Sequence, residues 1–456
     1  MDGRLTAVAR SFIGALPVDR ALLRSSAVVL AGSGVARLLG FLFYVAAARL
    51  LGPPEYGVLA YALAILSAAS ILLTNSQGGL ARFLARHAHD RRKQEVYYSN
   101  WVSVIGVMLI VSVVAFIPLA PLSRLTGWLL VGLVVNLVNI AVFETYLQTQ
   151  RGLSRFTMIG AYYSLANLLQ LLAILLAGIL GLRSASLFLV FYGLSAIAAL
   201  GLMRLAWPTP LAIRPATVAW RHMVRIARYV APIVVQGIFY AFWWSADLIL
   251  IQHLLQPDAT GNYAAAKTLT QVLILPPIAI SMTASPRIAR LPESALRPYL
   301  PRLLGLAAVV IVPLAIGLAL LQRPLTSLFF GPRYTHVLDA FDPLVVGVAL
   351  YGFYLVTVSF WGALGRPAIG AIATAAGTLV TVALALVLIP RLGLLGSGVG
   401  FAAGAATQAA VVAGYTVWGL YSTATVRIGH LPDQAMLRLD DMPSDASRPA
   451  RRPRVG

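Results

Sequence analysis

Cysteine is absent from the 456-residue chain, which removes disulfides, thiolate catalysis and cysteine metal sites from consideration. Charge is scarce: 11% of residues are charged, against about a quarter in a soluble domain. Acidic side chains are the scarcest, 15 against 35 basic ones, and lysine occurs only at Lys93 and Lys267. The six histidines (His87, His89, His222, His253, His336 and His430) are scattered, and none forms a ligand pair inside an apolar stretch. His87 and His89 lie in a basic segment and read as solvated rather than metal-bound. No metal or other cofactor is expected. There is no phosphate-binding glycine loop and no ATP-hydrolysing domain, so any transport must draw on an ion gradient, the membrane potential or downstream consumption of product.

Apolar residues make up 59% of the chain, and the mean hydropathy is +0.83. That excludes a water-soluble enzyme, a disordered protein and a cytosolic binding domain. The expected class is an all-α integral membrane protein. A net charge of +20 on a soluble protein would point to nucleic acid. On this apolar background it points instead to anionic lipid head groups, and no nucleic-acid partner is expected.

Twelve apolar segments of spanning length follow one another, centred on about 26–48, 57–79, 99–120, 128–149, 157–180, 184–203, 229–251, 262–285, 302–321, 341–363, 367–389 and 394–421. Residues 1–24 carry apolar positions at helical spacing with four arginines and read as an interfacial segment rather than a cleaved signal. Residues 422–456 are polar and proline-rich and read as a disordered cytoplasmic tail. With both termini placed in the cytoplasm, inner segments hold 27 basic residues and outer segments 6. The bias alternates loop by loop, as the positive-inside rule requires of twelve spans. A basic linker, 206–228, divides the chain into two six-helix bundles, 25–205 and 229–421.

The two halves echo each other. Leu50-Leu51-Gly52-Pro53-Pro54-Glu55-Tyr56-Gly57 precedes the second span, and Leu254-Leu255-Gln256-Pro257-Asp258-Ala259-Thr260-Gly261 precedes the eighth, 204 residues later. Gly181-Leu182-Arg183-Ser184 is echoed by Gly393-Leu394-Leu395-Gly396-Ser397. An even-numbered half preserves orientation, so these are parallel repeats about an axis along the membrane normal, an arrangement suited to alternating access.

Charges inside spans are costly and mark candidate sites. Arg37 lies about a dozen residues into the first span and shares a face with Ser33 and Tyr44. Two readings stay open: a forked contact for a pyrophosphate, or a snorkelling or structurally paired cation. Asp247 and Lys267 lie in the outer parts of spans seven and eight, within mutual reach. They read either as a hairpin salt bridge or as a substrate or coupling-ion site. Gln236, Tyr240, Trp243 and Asp247 form one stripe, so Gln236 and Tyr240 join the substrate candidates. Glu144, near the inner end of span four, is with Asp247 a candidate for ion coupling. Asn136, Asn139 and Phe143 share one face, as do Tyr163, Asn167 and Gln170; interhelix glue is the expected role of these amides. Pro276, Pro277 and Pro286 predict a kinked eighth span. The longest outer loop, about 322–341, is too short to hold the donor and acceptor of a membrane glycan polymerase, so an enzyme is not expected.

The stretch Leu50–Ala62, then Ala246-Asp247-Leu248-Ile249-Leu250 followed by Gly261-Asn262-Tyr263-Ala264-Ala265-Ala266, then Ala363-Leu364-Gly365-Arg366-Pro367 and Ile389-Pro390-Arg391-Leu392-Gly393, resemble in order the polysaccharide and O-antigen flippases of the multidrug/oligosaccharidyl-lipid/polysaccharide (MOP) exporter superfamily. The likeness covers about residues 25–420. It implies a monomeric transporter in a bacterial cytoplasmic membrane that turns polyprenyl-pyrophosphate-linked oligosaccharide from the inner to the outer leaflet. It further implies polysaccharide polymerase and export proteins as partners. A drug or cation antiporter of the same superfamily and a peptidoglycan-precursor flippase are the alternatives. The near balance of Glu144 and Asp247 against Arg37 and Lys267 does not favour a cavity for cationic drugs.

Overall fold

The computed structural model describes residues 20–74, 78–122, 127–153, 155, 157–288 and 291–421, and among these it is helical with no strand. The expected interfacial segment lies outside the described residues up to position 19, and the expected tail lies outside them entirely.

The first bundle begins with α1 (Arg20–Leu51) and α2 (Pro53–Ala69). Between them Gly52 takes φ +75°, a left-handed conformation that glycine adopts without strain, and Pro53 opens α2 at a position that needs no N–H donor. The second span then breaks at Ser70, whose hydroxyl donates back to the Ser67 carbonyl, and resumes as α3 (Ile71–Thr74) and α4 (Gly78–Arg86). Next come α5 (Arg91–Leu122), α6 (Trp128–Gly152), α7 (Thr157–Ile179) and α8 (Ala185–Ala206). The second bundle comprises α9 (Trp220–Leu254), α10 (Pro257–Thr270), α11 (Leu275–Ile288), α12 (Glu293–Phe329), α13 (Phe341–Ala363), α14 (Ala368–Leu392) and α15 (Leu394–Tyr421).

Among the described residues eleven stretches are long and apolar enough to cross a membrane, and the first of them, Gly34–Ala69, joins the later part of α1 to α2 across Gly52. The spans are therefore twelve. The kink expected in the eighth falls just ahead of its prolines, where Gln271–Ile274 tightens to a 3-10 turn between α10 and α11. Pro276 and Pro277 supply no N–H to the carbonyls of that turn, and their rings crowd it. Two boundaries differ from expectation. The helix expected to begin at 229 already begins at Trp220, and the ninth span runs 37 residues, well past 302–321 at both ends. Arginines drew both boundaries inward in the sequence, yet a helix continues into the polar interface as long as its backbone pairs internally.

Contacts confirm the alternation of the helices. At one face the ends of α1, α7, α9 and α12 meet the starts of α2, α8 and α10: Leu50 lies against Gly178, and Glu55 accepts a hydrogen bond from the Ala185 N–H at 2.8 Å. At the opposite, arginine-rich face, Gly152 lies against Ala81 and Leu84, while the Gln94 side-chain nitrogen donates to the Leu84 carbonyl at 2.8 Å.

The linker between bundles is fastened to the first bundle. Asn100 donates to the Thr217 carbonyl at 3.0 Å and accepts from the Ala219 N–H at 3.0 Å. Glu95, nearly buried, pairs with Arg214 at 2.5 Å and Arg91 at 3.3 Å. Tyr146 donates to the Trp207 carbonyl at 2.8 Å. The chain is thus held down as far as Ala219, the residue before α9.

Candidate functional site

The bundles lock together at the face opposite the arginines. An ideal Cβ on Gly57 would stand 2.0 Å from the Pro257 carbonyl oxygen, and one on Gly261 would stand 1.9 Å from the Pro53 carbonyl oxygen. These are equivalent positions of the 204-residue repeat, so the starts of α2 and α10 cross on a local two-fold axis, each backbone against the other's glycine. The same seam carries Tyr334, which donates to the Ala48 carbonyl at 2.8 Å, and Arg49, whose Nε donates to the Phe329 carbonyl at 2.8 Å and whose Nη2 donates to the Leu328 carbonyl. Phe41 packs edge-on against Phe329 with ring centres 5.1 Å apart.

Away from the seam, α1 packs one face on α7, where Asn167 donates to the Ala36 carbonyl, and leaves the face that bears Arg37 uncovered. Arg37 is exposed beside exposed Val35 and Leu38, and among the described residues it has no ion pair or hydrogen bond. On the second bundle, Tyr240 is exposed and bonds the Tyr351 hydroxyl, while Gln236 is half-buried against Gly370. Arg37, Gln236 and Tyr240 are therefore not enclosed by protein.

Asp247 and Lys267 are not. The Lys267 ammonium lies 2.6 Å from Asp247 Oδ2, which also accepts from the Tyr263 hydroxyl at 2.8 Å. The other carboxylate oxygen accepts from the Leu248 N–H at 2.8 Å. Lys267 further donates to the Trp244 carbonyl at 2.5 Å and lies 4.7 and 5.1 Å from the ring centres of Trp244 and Phe401. Both side chains are essentially inaccessible. Of the two readings of this pair, the structure adopts the hairpin salt bridge, and no face of it is presented to a substrate in this conformation. Burying two charges is repaid only when their remaining donors and acceptors are also filled, as here.

The first bundle differs. It encloses a cavity of 320 Å³ where four helices turn polar faces toward one another. Tyr44 enters from α1, Ser67 and Ser70 from the break in the second span, Asn139 and Glu144 from α6, and Tyr163, Asn167 and Gln170 from α7, with Tyr192 of α8 closing it. The repeat offset of 204 places Leu63, which lines this cavity, opposite Lys267, and Phe43 opposite Asp247. One bundle thus fills its interior with an ion pair and aromatic rings, and the other keeps a space.

The amides act as the expected glue and as lining at once. Asn136 donates to the Gly132 and Leu189 carbonyls at 2.7 and 3.0 Å, Asn167 to the Ala36 carbonyl at 2.7 Å, and Gln170 to the Tyr192 carbonyl at 3.2 Å. Their nitrogens are thereby spent on backbone. Asn139 Oδ1 and Gln170 Oε1 are buried with no donor among the described residues. Glu144 accepts only a long bond, 3.4 Å, from Gln148, and no cation among the described residues pairs with it. The cavity therefore brings acceptor oxygens and one carboxylate together with the hydroxyls of Tyr44, Tyr163 and Tyr192. No cluster of three metal-ligating side chains occurs among the described residues.

Sequence reasoning found Tyr44, Glu144 and the two amide faces but not that they converge. It missed Tyr162, stacked on Phe143 with ring centres 3.7 Å apart, and Tyr192. Their only signal was a tyrosine on a span otherwise apolar.

Residues 46–339 match the polysaccharide biosynthesis protein family, and the chain belongs to that family. Among curated proteins none matches. Solved structures of similar fold include a lipid II flippase, MurJ, in an inward closed conformation, with TM-score 0.70, 12% identity, and 90% of this chain and 89% of that one covered. They also include a multidrug resistance MATE family transporter of the MOP superfamily in an inward-facing conformation, with TM-score 0.66, 14% identity, and coverage of 84% and 94%. An outward-facing MATE structure aligns with TM-score 0.60 at 15% identity over 87% and 95%.

Proposed function

We propose that this protein flips polyprenyl-pyrophosphate-linked oligosaccharide from the inner to the outer leaflet of a bacterial cytoplasmic membrane, for cell-surface polysaccharide export. The observation that carries the reading is the symmetric seam at Gly57 and Gly261 in a chain of the polysaccharide biosynthesis family. It closes one end of a two-bundle transporter and leaves the arginine-bearing surface of α1 uncovered. By the charge bias the closed end faces outward and both termini face the cytoplasm. The prenyl chain stays in lipid while the charged head enters between the bundles. Arg37 meets the pyrophosphate, since its planar fork matches phosphate oxygens and it has no competing partner among the described residues. Gln236 and Tyr240 supply neutral hydrogen bonds to the glycan from the facing bundle.

The cavity around Glu144 takes the coupling cation in this reading. Neutralising that carboxylate changes the packing of α6 against α7 and so couples the ion to the bundle that moves. A drug antiporter would use the same acidic cavity, which is why the test is made on the glycan. In cells lacking the protein, lipid-linked glycan should accumulate on the inner leaflet. Wild type should clear it, and Arg37→Ala at equal membrane abundance should not. Normal glycan export without the protein would remove the flippase reading. Full rescue by Arg37→Ala would keep the function and return Arg37 to a snorkelling role.

A further inference from the structure

A second cavity lies on the outside of the first bundle, away from the seam and from Glu144. It is a cleft of 250 Å³ between α5 and α6. Its walls are apolar: Val102, Ile105 and Leu109 on α5 face Ala141 and Val142 on α6. Neighbouring side chains on α5, including Val107 and Ile110, are exposed as lipid-facing residues are. At its arginine-rich end the cleft stops being apolar. Arg204 closes it there, with Thr209 of the linker beside it. Arg204 is exposed and, among the described residues, has neither an ion pair nor a hydrogen bond. The nearby linker arginine behaves differently, since Arg214 is consumed by Glu95. The tyrosine at that end is also consumed, as Tyr146 donates to the Met203 and Trp207 carbonyls. Arg204 is thus a cation without a counter-ion, held by a fastened linker at the mouth of an apolar slot.

We propose that this cleft is a binding site for an anionic phospholipid of the inner leaflet, with one acyl chain between α5 and α6 and the phosphate on Arg204. The occupant follows from complementarity along the slot: hydrocarbon against the apolar walls, and one negative charge opposite one unpaired guanidinium at interface depth. Gly106 marks the vacancy directly. It lines the cleft, and a Cβ placed on it meets nothing within 4 Å, so the space beside it is open. Because the same site holds Thr209 and Ile213 of the linker, a bound lipid touches the segment that joins the two bundles.

The test uses the full chain in nanodiscs of neutral phosphatidylcholine, with a phosphatidylglycerol probe carrying a photoreactive group in its acyl chain. Crosslinks should fall on residues 102–109 and 141–145, and unlabelled phosphatidylglycerol should compete them away. Arg204→Gln should weaken labelling about fivefold, the worth of one basic residue at an anionic surface, and Arg204→Lys should retain most of it. Gly106→Leu fills the slot without meeting protein and should abolish labelling at those positions. An unchanged thermal midpoint in each variant shows that the fold persists. Unchanged labelling in either Arg204→Gln or Gly106→Leu overturns the proposal, as does equal labelling by a phosphatidylcholine probe. Displacement by polyprenyl phosphate but not by phosphatidylglycerol also overturns it, and assigns the cleft to the carrier lipid.

Discussion

Asp247 and Lys267 show how a charge inside a span can be structural. Both carboxylate oxygens of Asp247 accept hydrogen bonds, and the ammonium sits against two aromatic faces. Removing one partner leaves the other as a buried unpaired charge, which costs about 3–5 kcal/mol. Lys267→Met alone should therefore lower the unfolding midpoint of the purified protein sharply, and Asp247→Leu with Lys267→Met should recover most of the loss. If the double variant is no better than the single, the pair does more than neutralise itself. Both readings of this pair were open in the sequence, because helical spacing gives reach but not accessibility. Arg37 was the reverse case. The residue type and depth marked it, and the structure leaves it exposed and unpaired.

The number and order of the helices were legible, since apolar length and arginine placement report them directly, but α9 and α12 begin nine residues ahead of the expected starts. The helix interiors were less legible. The amide faces of α6 and α7 could be read from spacing, but which faces meet is decided by packing of helices far apart in the chain. Asn139 and Gln170 therefore read as glue, whereas their oxygens line a cavity with Glu144. The seam was visible as a repeat and invisible as a contact. Its rigidity is open to experiment. A side chain at Gly57 meets backbone at 2.0 Å, which cannot rotate away, so Gly57→Val should push the starts of α2 and α10 apart. The chain has no native thiol, so Thr268→Cys, placed beside Tyr56 behind the seam, reports alone. A membrane-impermeant maleimide applied from outside should label it several-fold faster in the Gly57→Val background. Equal rates would mean that the outer end opens elsewhere.

At the scale of the whole molecule the two bundles share a fold and divide their labour. The second buries an ion pair among aromatic rings, and the first keeps a polar space around Glu144, where the proposed coupling cation would sit. Glu144→Gln should leave the protein folded and still able to bind substrate. Transport in proteoliposomes should then no longer respond to an imposed proton or sodium gradient. A Glu144→Gln protein that still follows the gradient would move coupling out of this cavity. The two glycines at the crossing carry a different consequence. Each is kept small by the other's backbone, so neither can be altered alone without a penalty felt by both halves. Two segments 204 residues apart thus answer to one steric condition, and a larger residue at either demands a displacement of both.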